Sequence, residues 1–357
     1  MKILIVGSGK EYAIENFYCA YLEETGAEVH QFPALKLFAD YYYKGLLNKL
    51  IFRSGLSRIY PRINRLLKKK IDEFKPDVVW VFKGMEIFPA TLTWIKNKKL
   101  KLLSYNPDNP FIFTGAGSGN KNITRSIPLY DFHFTYNLAI KKQLEAMFNR
   151  PACFLPFGFD ISQELYQECL RENEILKTCF LGNPDPQRAS FIHALAMLGV
   201  EIDLYGSNWK KFIRHEKVTI HGPIIYGNEF WKMLRRYRVQ LNLMRLHNLE
   251  SHNMRSFEVP GIGGIMLAPD TPEHRMFFDE GKEIFLFSNA DACADQIKKI
   301  LSLSEARANS VRENARNRSV QSGYSYRDRA VFALGQIELV VRPAQPPGVE
   351  SLVIDAN

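Results

Sequence analysis

Short apolar runs rich in β-branched and aromatic residues recur along the chain, with longer helical stretches between them. In the first half they predict strands at Ile3–Gly7, Glu28–Phe32, Asp77–Lys83, Lys101–Tyr105, Asp131–Tyr136 and Ala152–Pro156. In the second half they predict strands at Thr178–Leu181, Glu201–Tyr205, Lys217–His221, Val239–Leu243, Gly264–Ala268 and Glu283–Phe287. Strand alternating with helix in each half implies an α/β chain of two doubly wound, mainly parallel sheets. The 357 residues suit two domains of about 150 residues each. We expect an N-terminal domain over 1–158 and a second over 159–325, with the hinge near Phe157-Gly158-Phe159-Asp160. A helix over 326–340 is expected to return to the first domain. The Pro-rich 341–357 reads as a flexible tail. Nothing repeats at a solenoid period.

Composition is ordinary for a globular chain and narrows the class mainly by exclusion. No apolar run approaches the ~20 residues of a membrane span. Met1-Lys2-Ile3-Leu4-Ile5-Val6 enters a strand directly instead of a signal peptide, which predicts a cytoplasmic protein. Five scattered cysteines without a C-x-x-C spacing argue against a zinc site or a disulfide framework.

Charge changes the picture more. The net charge is +9, and the segment Tyr41–Ile71 carries nine Lys and Arg with no acidic residue. Tyr41, Tyr42, Tyr43, Leu46, Leu47, Leu50, Ile51 and Phe52 interleave with those charges. Such a stretch fits peripheral contact with an anionic membrane at its inner face, or with an acidic acceptor. The plainer alternative is a solvated helical face whose leucines pack on their own sheet. No recognised nucleic-acid motif accompanies the charge, so no nucleic-acid partner is expected.

Open parallel sheets bind ligands outside the carboxyl ends of their strands, which makes the loops after the strands the candidates. Gly7-Ser8-Gly9-Lys10 fits neither the dinucleotide fingerprint, because Tyr12 stands where its third glycine belongs, nor the Walker pattern. It reads as a tight turn in which Gly7 and Gly9 let backbone approach a substrate beside Lys10. Asn106 and Asp108 follow the fourth strand, Asp108 being the candidate acceptor contact or base. Their Asn-Pro-Asp sequence equally suits a plain turn. Gly115 to Asn120 has the composition of a lid. In the second half, Gly182 permits close backbone approach, Arg188 suits a phosphate, Tyr226 suits stacking on a nucleobase, and Arg245 leads into the next loop.

That loop concentrates the chemistry. Ser251, His252 and Asn253 stand where a helix N-cap belongs, Arg255 adds a fixed charge one turn in, and Glu258 is able to accept hydroxyl hydrogen bonds. An anion at the helix start with a sugar diol at the carboxylate describes a nucleotide-sugar pocket. The run Ser251 to Gly264, with Pro272-Glu273-His274, Phe277-Phe278 and Glu280-Gly281-Lys282-Glu283, resembles glycosyltransferases related to spore-maturation proteins, of the group 1-like kind. The resemblance is dense over roughly 175–330 and implies the GT-B fold, two Rossmann-like domains facing a cleft. It further implies transfer of a sugar from a nucleotide diphosphate to a glycan or lipid-linked hydroxyl, in polysaccharide synthesis, with the turn at Gly182–Arg188 facing the donor. Glu250 and Glu258, with seven residues between them, match the paired glutamates of retaining GT-B enzymes, although Ser251-His252-Asn253 replaces the usual Phe-Gly. No Asp-x-Asp stands among the expected cleft loops, so we expect metal-independent transfer, with no cofactor beyond the nucleotide sugar. The rival readings are a nucleotide-sugar epimerase of the same fold, a non-catalytic nucleotide- or glycan-binding member, and a dehydrogenase.

Overall fold

The computed structural model describes residues 1–113, 117–245 and 250–341. The tail from 342, part of the expected lid (Gly115, Ala116) and His247 and Asn248 lie outside the described residues.

Among the described residues twelve strands form, one at each predicted place. In chain order the first half runs β1 (Lys2–Gly7), α1 (Ile14–Glu24), β2 (Glu28–Pro33), α2 (Ala34–Tyr42), α3 (Leu46–Arg53), α4 (Ile59–Phe74), β3 (Val78–Phe82) and α5 (Pro89–Asn97). It continues with β4 (Lys101–Asn106), α6 (Lys121–Ser126), β5 (Phe132–Thr135), α7 (Leu138–Phe148) and β6 (Ala152–Phe154). The second half begins α8 (Gln163–Leu170), β7 (Ile175–Leu181), α9 (Pro186–Met197), β8 (Ile202–Tyr205), β9 (Val218–Gly222), α10 (Gly227–Arg236) and β10 (Tyr237–Leu241). It ends α11 (Arg255–Gly261), β11 (Met266–Pro269), α12 (Pro272–Phe277), β12 (Phe285–Phe287), α13 (Ala290–Leu301), α14 (Glu305–Gln321) and α15 (Tyr326–Val341).

Two six-stranded sheets result, ordered β2-β1-β3-β4-β5-β6 and β12-β11-β10-β7-β8-β9. Their described pairings are parallel. Counting strands from β7, the second sheet has the 3-2-1-4-5-6 order of dinucleotide-binding folds, and its order reverses between β7 and β10. The chain packs as two compact units. One comprises Met1–Tyr105, Lys121–His133 and the chain from Ala330. The other comprises Asn106–Asn120 and Phe134–Arg329.

Helix α4 shows how the pattern becomes packing. Ile59, Ile63, Leu67 and Ile71 recur every fourth residue, so they fall on one face, and all four are buried against Leu4, Val6, Val79 and Val81. In the second unit Phe180, Ile202, Leu204, Val239 and Leu267 carry the core, covered by Ile192 and Leu195 of α9 and Ile297 and Ile300 of α13. The five cysteines are free thiols. Among the described residues no helix is long and apolar enough to cross a membrane.

Candidate functional site

Ligands of open parallel sheets sit outside the carboxyl ends of the two strands that flank the reversal. In the second sheet those ends are Leu181 of β7 and Leu241 of β10. Arg188, in the first turn of α9, joins the two loops that follow. Its Nη1 donates to the Asn183 carbonyl at 3.2 Å and its Nη2 to the Leu243 carbonyl at 2.7 Å. The Arg188 side chain is buried and two of its donors are committed to main chain. Its charge remains in the site. Burial lowers its pKa to about 10, Asp185 opposes that shift, and repulsion from Arg245 and Arg255 adds to it. Arg188 thus feels the charge of Arg245 and Arg255 across the loops that follow β7 and β10.

Gly182 serves a different contact from the one expected. Its carbonyl accepts from Trp209 Nε1 at 2.8 Å, and a Cβ on Gly206 would lie 2.1 Å from the Gly182 oxygen. The close approach is therefore between two loops of the protein at Gly206, while a Cβ on Gly182 would itself fall 2.8 Å from the buried Phe180 ring.

The loop before α11 is bolted down rather than open. Ser251 and His252 are fully buried. Ser251 Oγ donates to Glu273 Oε2 at 2.6 Å, and His252 Nδ1 lies 2.6 Å from the same oxygen. Leu138 N–H donates to Glu273 Oε1 at 2.9 Å. Phe157 N–H donates to His252 Nε2 at 3.4 Å, which fixes the proton on Nδ1. The edges of Phe257 and Phe277 pack on the ring at 5.1 and 5.2 Å. Burial lowers the His252 pKa, and Glu273 opposes that shift. The side chains of Ser251 and His252 therefore point inward, with their polar atoms already used.

Asn253 does cap the helix. Met254 already has helical dihedrals, Asn253 Oδ1 accepts from Ser256 N at 3.3 Å, and Asn253 N–H donates to Ser256 Oγ at 3.2 Å. Ser256 Oγ also accepts from Asn242 Nδ2 at 3.2 Å and lies 2.8 Å from His274 Nε2. His274 Nδ1 sits 2.8 Å from the Pro269 carbonyl, so Nδ1 holds the proton and Nε2 accepts. Burial lowers the His274 pKa to about 4. Asn242, Ser256, Glu273 and His274 had no assigned role in the sequence. Thr271-Pro272 does carry the signature of a cap followed by proline at N1, and Thr271 Oγ1 accepts from His274 N at 3.1 Å. The His252–Glu273 pair spans 21 residues and leaves no local signal.

Arg255 and Glu258 complete the site. One guanidinium nitrogen of Arg255 bonds Glu258 Oε2, and the guanidinium lies over the Phe230 ring at 4.4 Å. Glu258 is nearly buried, and its Oε1 accepts no hydrogen bond among the described residues. Arg245 and Glu250 are exposed, on either side of the undescribed 246–249. Tyr226 is exposed at the start of α10.

In the first unit, Glu15 occupies the loop after β1. Ser8 donates to Glu15 Oε1 from its N–H and from Oγ, the latter at 2.5 Å. A Cβ on Gly7 would fall 2.6 Å from Glu15 Oε1, and one on Gly9 would fall 2.3 Å from Pro33 Cβ. Both glycines thus admit the protein's own side chains; Lys10 is exposed. In the second unit, Asn106 Oδ1 accepts from Asp108 N at 3.1 Å, which builds a local turn. Asn106 Nδ2 is buried with no acceptor among the described residues. No group of three or more potential metal ligands occurs among the described residues.

This is the GT-B architecture. Sucrose-phosphate synthase from Thermosynechococcus elongatus matches with a TM-score of 0.64 at 11% identity, over 94% of this chain and 98% of that one. The Anabaena protein HepE, solved in complex with UDP-glucose, matches at 0.62 and 13% identity, over 95% and 99%. UDP-GlcNAc 2-epimerase from Neisseria meningitidis, bound to UDP-GlcNAc, matches at 0.55 and 13% identity, over 94% and 99%. No curated protein matches the sequence. Residues 187–335 match the family model described as glycosyl transferase-like.

Proposed function

We propose that the chain transfers a glycosyl group from a nucleoside diphosphate sugar to the hydroxyl of a glycan or lipid-linked acceptor, as in polysaccharide synthesis. The observation that supports this reading is Arg188 joining the two loops at the reversal of the second sheet, with the Arg255–Glu258 pair opening the helix that follows. As the bond from the anomeric carbon to the diphosphate oxygen breaks, negative charge grows on the diphosphate. Guanidinium groups fixed near it stabilise that charge, so no metal is required. Glu258 Oε1 accepts from a sugar hydroxyl of the nucleotide, Tyr226 stacks on the base, and the acceptor hydroxyl gives up its proton as it attacks. Asp108 is the candidate base, and Glu250 the sugar contact in a retaining transfer.

The first test is thermal shift against nucleoside diphosphates, beginning with UDP, the nucleotide of HepE's complex. A ligand that binds only the folded state adds about 2.7 kcal/mol at a hundredfold excess over Kd. If no nucleoside diphosphate raises Tm, the donor reading is wrong. Activity abolished by chelator and restored by magnesium would end the metal-independent reading. The anomeric proton of the product, read by NMR, decides retention. Because an epimerase is among the similar structures, donor alone is also incubated; turnover without acceptor would favour that second reading.

A further inference from the structure

Helix α3 is an anomaly of packing. Its eight residues include none that is buried. Leu46, Leu47 and Leu50 are 78, 68 and 62% exposed, and Leu56 just beyond is 78% exposed. The helix is held by Phe52, packed on Phe38 at 4.8 Å and Tyr60 at 5.5 Å, and by Asn48 Nδ2, which donates to the Tyr41 carbonyl at 2.7 Å. These anchors fix one side of α3 and leave its leucines on the other. The apolar residues of α4 pack on the sheet, so the plain account of this segment as a solvated face holds for α4 and fails for α3.

A row of cations stands on α4, across the groove from α3. Arg58, Arg62 and Arg65 follow helical spacing along α4 and are exposed. Among the described residues none of the three is paired with a carboxylate. A groove of about 740 Å³ lies between α2, α3 and α4, lined by Tyr41, Lys44, Asn48 and Arg62. Its one acid, Asp40, already pairs with Lys36 at 2.9 Å.

We propose that α3 and the arginine row of α4 form a docking surface for a bilayer containing anionic phospholipids. The leucines enter the acyl boundary while the arginines meet headgroup phosphates, the arrangement of an interfacial amphipathic element. A second copy of the chain fits poorly, because a two-fold contact would set the cationic row against itself. Nucleic acid would satisfy the arginines and leave the leucines in water.

Sedimentation of the full chain with vesicles of phosphatidylcholine and rising phosphatidylglycerol tests this. Binding should rise with the anionic fraction and fall with added salt. Replacing the three arginines (R58Q, R62Q and R65Q together) should weaken partitioning roughly a hundredfold, at about fivefold per charge. Replacing the leucines (L46S, L47S and L50S together) should weaken it about tenfold or more. All six side chains are exposed, so both variants should keep the wild-type Tm. Vesicle binding that ignores the anionic fraction, or either triple variant binding like wild type, overturns the proposal. So does a wild-type chain that leaves vesicles alone, whether it self-associates, binds an oligonucleotide or binds an acidic protein instead. Nucleotide binding plays no part in the readout, so the donor site stands or falls separately.

Discussion

The turns after β1 and after β7 each follow the first strand of a parallel sheet, beside the point where strand order reverses. They carry opposite charges. In the first, Glu15 from the opening turn of α1 fills the loop and takes both Ser8 donors. In the second, Arg188 from the opening turn of α9 joins two loops through their carbonyls, with Arg245 and Arg255 near enough to repel it. Connectivity alone offers two equivalent crevices, and one side chain in the following helix decides what each admits. A carboxylate in the loop repels a diphosphate, whereas guanidinium groups attract one.

The largest expected effect separates the two loops by activity. Arg255→Ala should lower kcat by about 10²- to 10³-fold, the usual cost of removing one donor from a developing oxyanion. Glu15→Ala should leave the UDP-induced rise in Tm unchanged, and a Glu15 variant that lost it would dissolve the contrast. Next is the support of the second crevice. Glu273→Ala strips Ser251 Oγ, His252 Nδ1 and Leu138 N–H of their buried acceptor, which should cost about 3 kcal/mol by chemical denaturation.

Acid should act on the same layer. His274 is held near 4, against an ordinary value of 6.5. Its folded-state pKa is depressed, so its stabilisation is complete above 6.5 and is lost as pH falls from there toward 4. That amounts to about 3 kcal/mol at most. The lowered His252 acts in the same direction. A stability profile flat from pH 7 to 4 would contradict these buried neutral rings. The smallest effects compare glycines. Gly206→Ala sets a Cβ against main chain at 2.1 Å and should cost about 1–3 kcal/mol. Gly7→Ala meets the Glu15 side chain rather than main chain and should cost less. Equal losses of Tm would mean the two turns are equally rigid.

Twelve strands, their alternation with helices and the paired sheets were legible in the sequence, because apolar periodicity is local and parallel strands buried on both faces are apolar runs. Asn253 at the helix start and Arg255 with Glu258 one turn on were legible for the same reason, since helix spacing puts them together. The inward fate of Ser251 and His252 was not. It depends on Glu273, which α12 delivers from 21 residues beyond His252 and which no periodicity predicts. The same holds for Glu15 in the first loop, for Gly206 as a glycine the loops require, and for the leucines of α3 left outside. The sequence by itself determined which segments become strands and helices and which faces must be buried. Only tertiary structure decided which polar residues that burial uses up, because the partner that satisfies a buried donor is set by how distant elements meet.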